Sequence, residues 1–219
     1  SSETTLVLID ITRIKKLENI RKDFIANLSH ELRTPVAVIR ANSESLVDGA
    51  LDDKEIARKF SNAILKNSEK LSYLLEDILN LSTIESGEYN LELSENGVSD
   101  IFKNSINSVL SNNPDLKIIN NISSDVEVIC DTKALSQVID NLIENSVKYG
   151  VSEECNEIII NMKDQGSKVR FEIEDRGQGI PADQRERVFE RFFRIQNNNT
   201  SLKEGTGLGL PIVKNLVNL

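Results

Sequence analysis

A heptad seam between positions 60 and 81 constrains the fold of this chain more than any other feature of its sequence. The seam residues recur at alternating steps of four and three, and they are Phe60, Ile64, Asn67, Leu71, Leu74, Ile78 and Leu81. This spacing predicts a long helix that buries one stripe against other helices. An earlier helical period starts at Ile14, and Asp48-Gly49 interrupts it before an N-cap candidate within residues 51–53. We therefore expect a long antiparallel helical hairpin over residues 14–85.

Two amphipathic helices bury too little apolar surface to form a closed core by themselves. Two such hairpins can pair into a four-helix bundle, so the pattern predicts a homodimer through this region. The single Asn67 in the seam fits this prediction, because a buried Asn often sets register or oligomeric state at some cost in stability. The alternative, a hairpin that folds against the rest of its own chain, stays open.

The chain beyond Gly87 has the mixed texture of an α+β domain. Helices are predicted at residues 98–110, at 132–149 after a cap at Asp131, and from Leu208 onward. Strands are predicted at residues 116–120, 126–129, 157–162 and 169–174. These elements predict a two-layer α+β sandwich with helices on one face of a sheet.

Two further segments are open to more than one interpretation. Residues 4–12 are rich in Val, Ile and Thr and are typical of a strand, although a disordered tail explains them equally well. The polar run at residues 197–201 is predicted to be a mobile loop.

Composition excludes several classes of function. One histidine and two cysteines, Cys130 and Cys155, are too few for a zinc centre or a disulfide scaffold. The formal net charge of -9 argues against a nucleic-acid partner. No apolar run approaches the ~20 residues of a membrane helix, and the first residues lack the basic region of a signal peptide. We therefore expect no membrane contact in this segment and a cytosolic location.

The single histidine lies in the stretch Ser29–Pro35. At about 100° per residue, His30 points away from the apolar stripe that Phe24 and Leu28 define. Glu31 is adjacent, and Thr34 lies one turn further along the same helix. A neutral imidazole beside a carboxylate is a competent nucleophile, because the carboxylate can hold the ring N–H and accept its proton. A plain surface histidine is the competing interpretation.

Four more stretches carry chemistry only in combination. Asn141, Asn145 and Lys148 share a helix face, and amide oxygens with a nearby cation suit Mg²⁺ and nucleotide phosphates. A glycine-containing turn at residues 175–181 follows a predicted strand, and another at 205–210 precedes a helix, whose first amides favour phosphate. The fourth stretch, residues 188–194, lies between these two turns and contains three Phe and two Arg. Taken singly, each fits a solvated face, a plain loop or a core segment.

Together these stretches resemble the five sequence boxes of the sensor histidine kinases of two-component systems. The matching segments, in the family's order, are Ser29–Pro35 (H box), Asn141–Lys148 (N box), 175–181 (G1 box), 188–194 (F box) and 205–210 (G2 box). The resemblance implies a dimeric four-helix bundle formed by a phosphotransfer hairpin at residues 14–87. It also implies an ATP-binding domain of the GHKL fold at residues 88–219, and the end of a sensor domain or a linker at residues 1–13.

The resemblance also implies roles for individual residues of the phosphotransfer site. His30 would accept phosphate from ATP and pass it to an aspartate of a response-regulator receiver domain, with Glu31 as general base. Thr34 would position water to dephosphorylate the regulator, which makes the enzyme bifunctional. Arg194 would reach the γ-phosphate during transfer.

The nucleotide site follows in the same way from the resemblance. Asn145 would bind Mg²⁺ with help from Asn141, Lys148 would contact phosphate, Tyr149 would lie against the nucleoside, and Asp175 would bind the adenine amino group. The backbone is implied to approach ATP at Gly177, Gly179, Gly205, Thr206, Gly207, Leu208 and Gly209.

Several departures and alternatives accompany this resemblance. Related ATPases carry Glu where this chain has Asn141, so transfer to His30 is favoured over hydrolysis. Gly150 and Pro211 replace more usual residues, and neither is expected to touch the chemistry. The family continues into two further strands, so we expect an incomplete sheet with impaired ATP binding. The intact protein would be a membrane-anchored bacterial sensor with this portion in the cytoplasm, and a non-catalytic dimeric scaffold is the alternative function.

Overall fold

The computed structural model describes residues 10–123, 126–151, 155–195 and 205–219. The chain divides into two compact units, with the boundary between Leu74 and Leu75. Within the described residues, no helix has both the length and the apolarity that a membrane span requires.

The first unit is built from the predicted helical hairpin as far as Leu74, and the rest of the second helix belongs to the second unit. Helix α1 spans Thr12–Val47 and helix α2 spans Lys54–Glu85, and the single-turn 3₁₀ helix Ala50–Asp52 connects them. Asp53 caps α2, because its Oδ1 accepts hydrogen bonds from the backbone N–H groups of Glu55 and Ile56 at 2.9 and 3.1 Å. The helical periods at the start of the chain and at the seam are thus both confirmed as helices.

Two seam positions, Leu74 and Leu81, are the least exposed positions of α2. Leu74 is 1% exposed and Leu81 is 2% exposed, and the other seam residues are half-buried. Asn67 is satisfied within its own helix, since its Nδ2 donates to the Ala63 carbonyl at 2.7 Å. This hydrogen bond of Asn67 lies within α2.

The second unit contains the predicted α+β fold, with a mixed sheet. Its strands are β1 Ser94–Gly97, β2 Lys117–Asn121, β3 Glu127–Cys130, β4 Glu157–Asp164 and β5 Val169–Asp175. Its helices are α3 Val98–Asn112, α4 Thr132–Asn145 and α5 Gly209–Val217. Strand β4 is central to a three-stranded sheet, parallel to β2 and antiparallel to β5, while β1 and β3 pair antiparallel.

One apolar core joins α3 and α4 to the three-stranded sheet. Its most buried members are Val98, Ile101, Phe102, Ile106, Leu116, Ile139, Ile143, Ile158 and Ile160. The Phe102 ring contacts the Phe171 ring of β5 with centroids 5.1 Å apart. Isoleucines at alternate positions 158 and 160 are fully buried, as expected for strand residues that point to one face. This core fixes α4, and α4 in turn carries the candidate nucleotide-binding residues.

Three predictions need correction or lie outside the described residues. Thr12, predicted as the end of a strand, is the first residue of α1, and residues 4–9 are not described. The loop at residues 197–201 is also outside the described part. The helix predicted to reach Tyr149 ends as an α-helix at Asn145 and continues as a π turn over Ser146–Gly150. A π turn is wider than an α turn, so Lys148 does not keep the α-helical spacing from Asn145.

Asp131 is the main polar anchor of α4, and we expect its loss to destabilise the second unit. Its Oδ1 accepts from the N–H groups of Lys133 and Ala134 at 2.9 and 3.0 Å, and its Oδ2 accepts from Glu92 at 2.9 Å. We expect Asp131→Ala to lower the free energy of unfolding by about 2 kcal/mol in urea titrations at neutral pH. The exposed Asp100→Ala in α3 is the matched control, expected to cost less than about 0.5 kcal/mol.

The same anchor gives the stability a pH dependence with a defined sign. The backbone N–H groups of Ala134 and Glu92 hold the pKa of the Asp131 carboxyl below its ordinary value. Its stabilising contribution is therefore complete above the unfolded pKa of about 4 and is lost as pH falls through the lower folded value. Asp131→Ala should flatten the acid limb of the stability curve. Equal acid sensitivity of wild type and variant would contradict this assignment.

Candidate active site

The phosphotransfer residues lie together in the middle of α1. The His30 side chain is 78% exposed, and its Nδ1 lies 3.9 Å from Glu31 Oε1. That distance is longer than a hydrogen bond, so the two groups are adjacent and unbonded in this conformation. The Thr34 hydroxyl donates to the His30 carbonyl at 3.3 Å. Pro35 is buried inside α1 and supplies no N–H to the Glu31 carbonyl one turn before it.

The N box occupies the end of α4 and the π turn that follows. Asn141 Nδ2 donates to the Gln137 carbonyl at 2.8 Å, so its Oδ1 is the remaining acceptor of that side chain. Asn145 Nδ2 is buried and has no hydrogen-bond partner among the described residues. Lys148 Nζ pairs with Glu144 Oε2 at 2.9 Å. Glu144 thus holds the lysine that the resemblance assigns to phosphate.

Gly150 lies directly against the adenine-binding candidate Asp175. A Cβ atom on Gly150 would lie 2.3 Å from both Cβ and Cγ of Asp175, far inside van der Waals contact. Asp175 ends β5, and its Oδ1 accepts from the Gly177 N–H at 3.0 Å. A Cβ on Gly177 would also lie 2.6 Å from the Tyr149 carbonyl. The expectation that Gly150 does not touch the site is therefore wrong, because glycine there makes room for Asp175.

The G2 box is joined to the F box and to the N box. Gly207 has φ +70°, and its carbonyl accepts from the Phe192 N–H at 2.9 Å. The Leu208 N–H donates to the Thr206 hydroxyl at 3.2 Å, just before α5 begins at Gly209. A Cβ on Gly209 would lie 2.5 Å from Asn141 Oδ1. Close approach at Gly207 and Gly209 therefore brings the G2 box against both the F box and the N box.

The remaining predicted residues surround the same region. The Tyr149 hydroxyl lies 3.1 Å from where a Gly205 Cβ would be. Gly179 has φ +71°, a left-handed conformation that glycine adopts without strain, within the G1 turn. Arg194 is half-buried and is the last residue of the F box. Arg187, just before this box, stacks on the Phe193 ring, with its Cζ 4.3 Å from the ring centroid. Contacts between described residues therefore bring the four boxes of the second unit together.

Comparisons with known proteins decide the family. A family model described as the His Kinase A (phospho-acceptor) domain matches residues 20–87. A second, described as histidine kinase-, DNA gyrase B-, and HSP90-like ATPase, matches residues 130–219. The sensor histidine kinase WalK of Bacillus subtilis is 32% identical over 213 residues, which cover 96% of this chain and 35% of WalK. The chain belongs to the sensor histidine kinases.

Solved structures of other histidine kinases share the fold. The Acinetobacter baumannii histidine kinase AdeS matches with a TM-score of 0.69 at 24% identity and covers 86% of each chain. Full-length ShkA in complex with AMPPNP matches with a TM-score of 0.60 at 25% identity, over 90% of this chain and 40% of ShkA. The chain spans about a third to a half of the length of the curated kinases it matches first, with 35% and 52% coverage.

Two acidic residues of this histidine kinase, Asp77 and Glu85, contact the G2 and F boxes and were missed from the sequence. Asp77 Oδ2 accepts from the Thr206 hydroxyl of the G2 box at 3.1 Å. Glu85 Oε1 forms an ion pair with Arg191 of the F box. Burial raises the pKa of Asp77, and the hydrogen bond from Thr206 offsets only part of that rise. The one available signal was that Asp77 stands next to the seam position Ile78, and an acidic residue there is easily interpreted as part of the solvent-exposed side of the helix.

Proposed function

We propose that this chain is the catalytic core of a two-component kinase that transfers the γ-phosphoryl group of ATP to His30. The strongest support is the buried Asn145 amide, whose Nδ2 lacks a partner among the described residues and lies in the helix that meets the G2 box. A buried donor without an acceptor costs free energy, and a nucleotide phosphate would supply that acceptor. The AMPPNP complex of ShkA is consistent with a nucleotide in this fold.

His30 is proposed as the nucleophile and Glu31 as its base. Nδ1 faces Glu31, so Nε2 is left to present the lone pair to the γ-phosphorus. A nitrogen–phosphorus bond forms, the bond from phosphorus to the bridging oxygen of ADP breaks, and the Nδ1 proton passes toward Glu31. The high exposure of His30 fits a group that must meet two successive partners, the nucleotide and an aspartate of a receiver domain.

The nucleotide roles are proposed for the N, G1 and G2 boxes. Asn145 Oδ1 and Asn141 Oδ1 are neutral oxygen donors of the type that suits Mg²⁺, which would neutralise phosphate charge during transfer. Asp175 is held in place by the Gly177 N–H and would accept a hydrogen bond from the adenine amino group. Lys148 would exchange Glu144 for phosphate, and Arg194 would steady charge on the transferred group. Tyr149 and the G2 backbone would enclose the nucleoside and phosphates.

Incubation with γ-labelled ATP and Mg²⁺ tests this proposal directly. We expect incorporation of label that is lost in acid and kept in base, the stability of a phosphoramidate and the reverse of a phosphate ester. Transfer of that label to a receiver domain would extend the assignment to the regulator. A folded chain that neither binds nucleotide nor labels would support the non-catalytic scaffold instead.

Thr34 is proposed to serve a second activity, dephosphorylation of the regulator. Its side chain is exposed one turn after His30, where its hydroxyl could orient water. We expect Thr34→Ala to slow loss of phosphate from a phosphorylated receiver by about tenfold or more, with autophosphorylation nearly unchanged. Ser29→Ala is the matched control, because that hydroxyl bonds the Ile25 carbonyl at 2.8 Å in the same way. Equal effects of the two variants would remove Thr34 from the mechanism.

Homodimerisation through the hairpin at residues 14–87 is proposed as the assembly, with residues 88–219 as the catalytic domain. In the single chain, several apolar side chains of α1 remain half or more exposed, including Ile14 at 56%, Ile25 at 52% and Val36 at 51%. A partner hairpin would cover such residues. By analogy with sensor kinases, the intact protein is proposed to be a membrane-anchored sensor whose cytoplasmic part includes this chain.

A further inference from the structure

The carboxyl-terminal part of α2 contributes a carboxylate to the G2 box. Asp77 Oδ2 accepts a hydrogen bond from the Thr206 hydroxyl at 3.1 Å, and that hydroxyl itself accepts from the Leu208 N–H at 3.2 Å. The chain then enters α5 at Gly209. Backbone N–H groups at this loop and helix start are the groups that the proposed function assigns to nucleotide phosphate. In this conformation the Leu208 N–H is bonded to the Thr206 hydroxyl, and a carboxylate from the same chain holds that hydroxyl.

Two of the charged groups around Asp77 belong to the N box. Its electrostatic neighbours are Lys148 and Glu144 of the N box and Glu76 on its own helix. Lys148 is paired with Glu144 at 2.9 Å. Asp77 and Glu144 together place two carboxylates near the lysine proposed for phosphate. A triphosphate entering this region would meet like charges, and Lys148 would have to leave its carboxylate partner.

A second contact holds the same part of α2 to the F box. Glu85, about two turns beyond Asp77, pairs with Arg191. The next residue, Phe192, donates its N–H to the Gly207 carbonyl at 2.9 Å. The two α2 carboxylates therefore tether both segments that frame the G2 loop. Because α2 is one helix from Lys54 to Glu85, a displacement of this helix would move both carboxylates at once.

We propose that Asp77 is an autoinhibitory latch: its carboxylate holds the Thr206 hydroxyl, which in turn occupies the Leu208 N–H, so ATP binds only after Asp77 has left the G2 box. The proposal rests on the proposed function, since it takes the G2 box as the phosphate-binding element. A carboxylate and a phosphate compete for the same donors and repel each other, so the latched and nucleotide-bound states exclude one another. Apparent nucleotide affinity then falls by the fraction of molecules that are unlatched.

The test is a comparison of nucleotide affinity in Asp77 variants of the full chain. We expect Asp77→Ala to bind AMPPNP with Mg²⁺ about tenfold more tightly than wild type, the factor for a latch closed in about nine molecules of ten. Asp77→Asn should be intermediate, because its amide oxygen still accepts from Thr206 but carries no charge. Glu76→Ala removes the neighbouring exposed carboxylate and should leave the affinity within about twofold. Hydrogen exchange at residues 205–209 should accelerate in nucleotide-free Asp77→Ala.

The outcomes separate the latch from the function on which it rests. Wild-type binding with unchanged affinity in Asp77→Ala would overturn the latch and leave the kinase assignment intact. Weaker binding in Asp77→Ala would also overturn it, because Asp77 would then help to hold the nucleotide. No binding by wild type or any variant, with normal thermal unfolding, would defeat the proposed function and the latch together. If Glu76→Ala binds nucleotide as tightly as Asp77→Ala does, the gain in affinity comes from the loss of any nearby negative charge, and the latch is refuted.

Discussion

Replacing His30 with glutamine will reduce labelling of this chain from γ-labelled ATP to background. Glutamine keeps a polar side chain of helical length but has no basic ring nitrogen to attack phosphorus. His30 is the only histidine in the 219 residues, so no second imidazole can substitute for it. Because the side chain is 78% exposed, its replacement removes almost no packing. The loss should therefore appear in chemistry alone, without a change in the unfolding midpoint.

The His30 experiment carries its own control in nucleotide binding. His30 belongs to the hairpin and is proposed to attack ATP without helping to hold it, so the glutamine variant should bind AMPPNP and Mg²⁺ as wild type does. Glu31→Gln should retain some labelling, because general-base catalysis contributes about 10²–10⁴-fold and leaves a residual rate. Acid-stable label on His30→Gln would place the phosphate on another residue and end the assignment.

Periodicity explains why the hairpin could be predicted from sequence. The steps of four and three from Phe60 to Leu81 correspond to a physical requirement, a continuous buried stripe, and every one of those positions is buried or half-buried in α2. Asp131 was equally readable, since an Asp before an apolar helical period is a standard N-cap. Such signals are local, because the residues that cause the structure are the residues that show the pattern.

The features that sequence did not predict depend on contacts between distant segments. Strand β1 has no apolar alternation and forms because its backbone pairs with β3. Gly150 matters only because Asp175, at the end of β5, lies where a Cβ would be. Asp77 and Thr206 are 129 positions apart, and nothing in the spacing of either predicts the other. The resemblance was enough to identify the boxes. The residues that contact them from elsewhere in the chain could be found only in the three-dimensional structure.

Asn145→Leu will abolish Mg²⁺-dependent nucleotide binding and leave the folded chain as stable as wild type or more so. Leucine has nearly the shape of asparagine, and it removes a buried Nδ2 that has no partner among the described residues. Leucine also favours a helix more strongly than asparagine does. Together these two effects should raise the free energy of unfolding by about 1 kcal/mol at most. Asn141→Leu provides the contrast, because Asn141 Nδ2 is already satisfied by the Gln137 carbonyl at 2.8 Å, so no stabilisation is expected there. Nucleotide titration and urea unfolding of both variants check the two halves of this prediction. If the Asn145→Leu variant is less stable and still binds AMPPNP, Asn145 is a structural residue. If the variant is more stable and no longer binds AMPPNP, the asparagine is present for its ligand and not for stability.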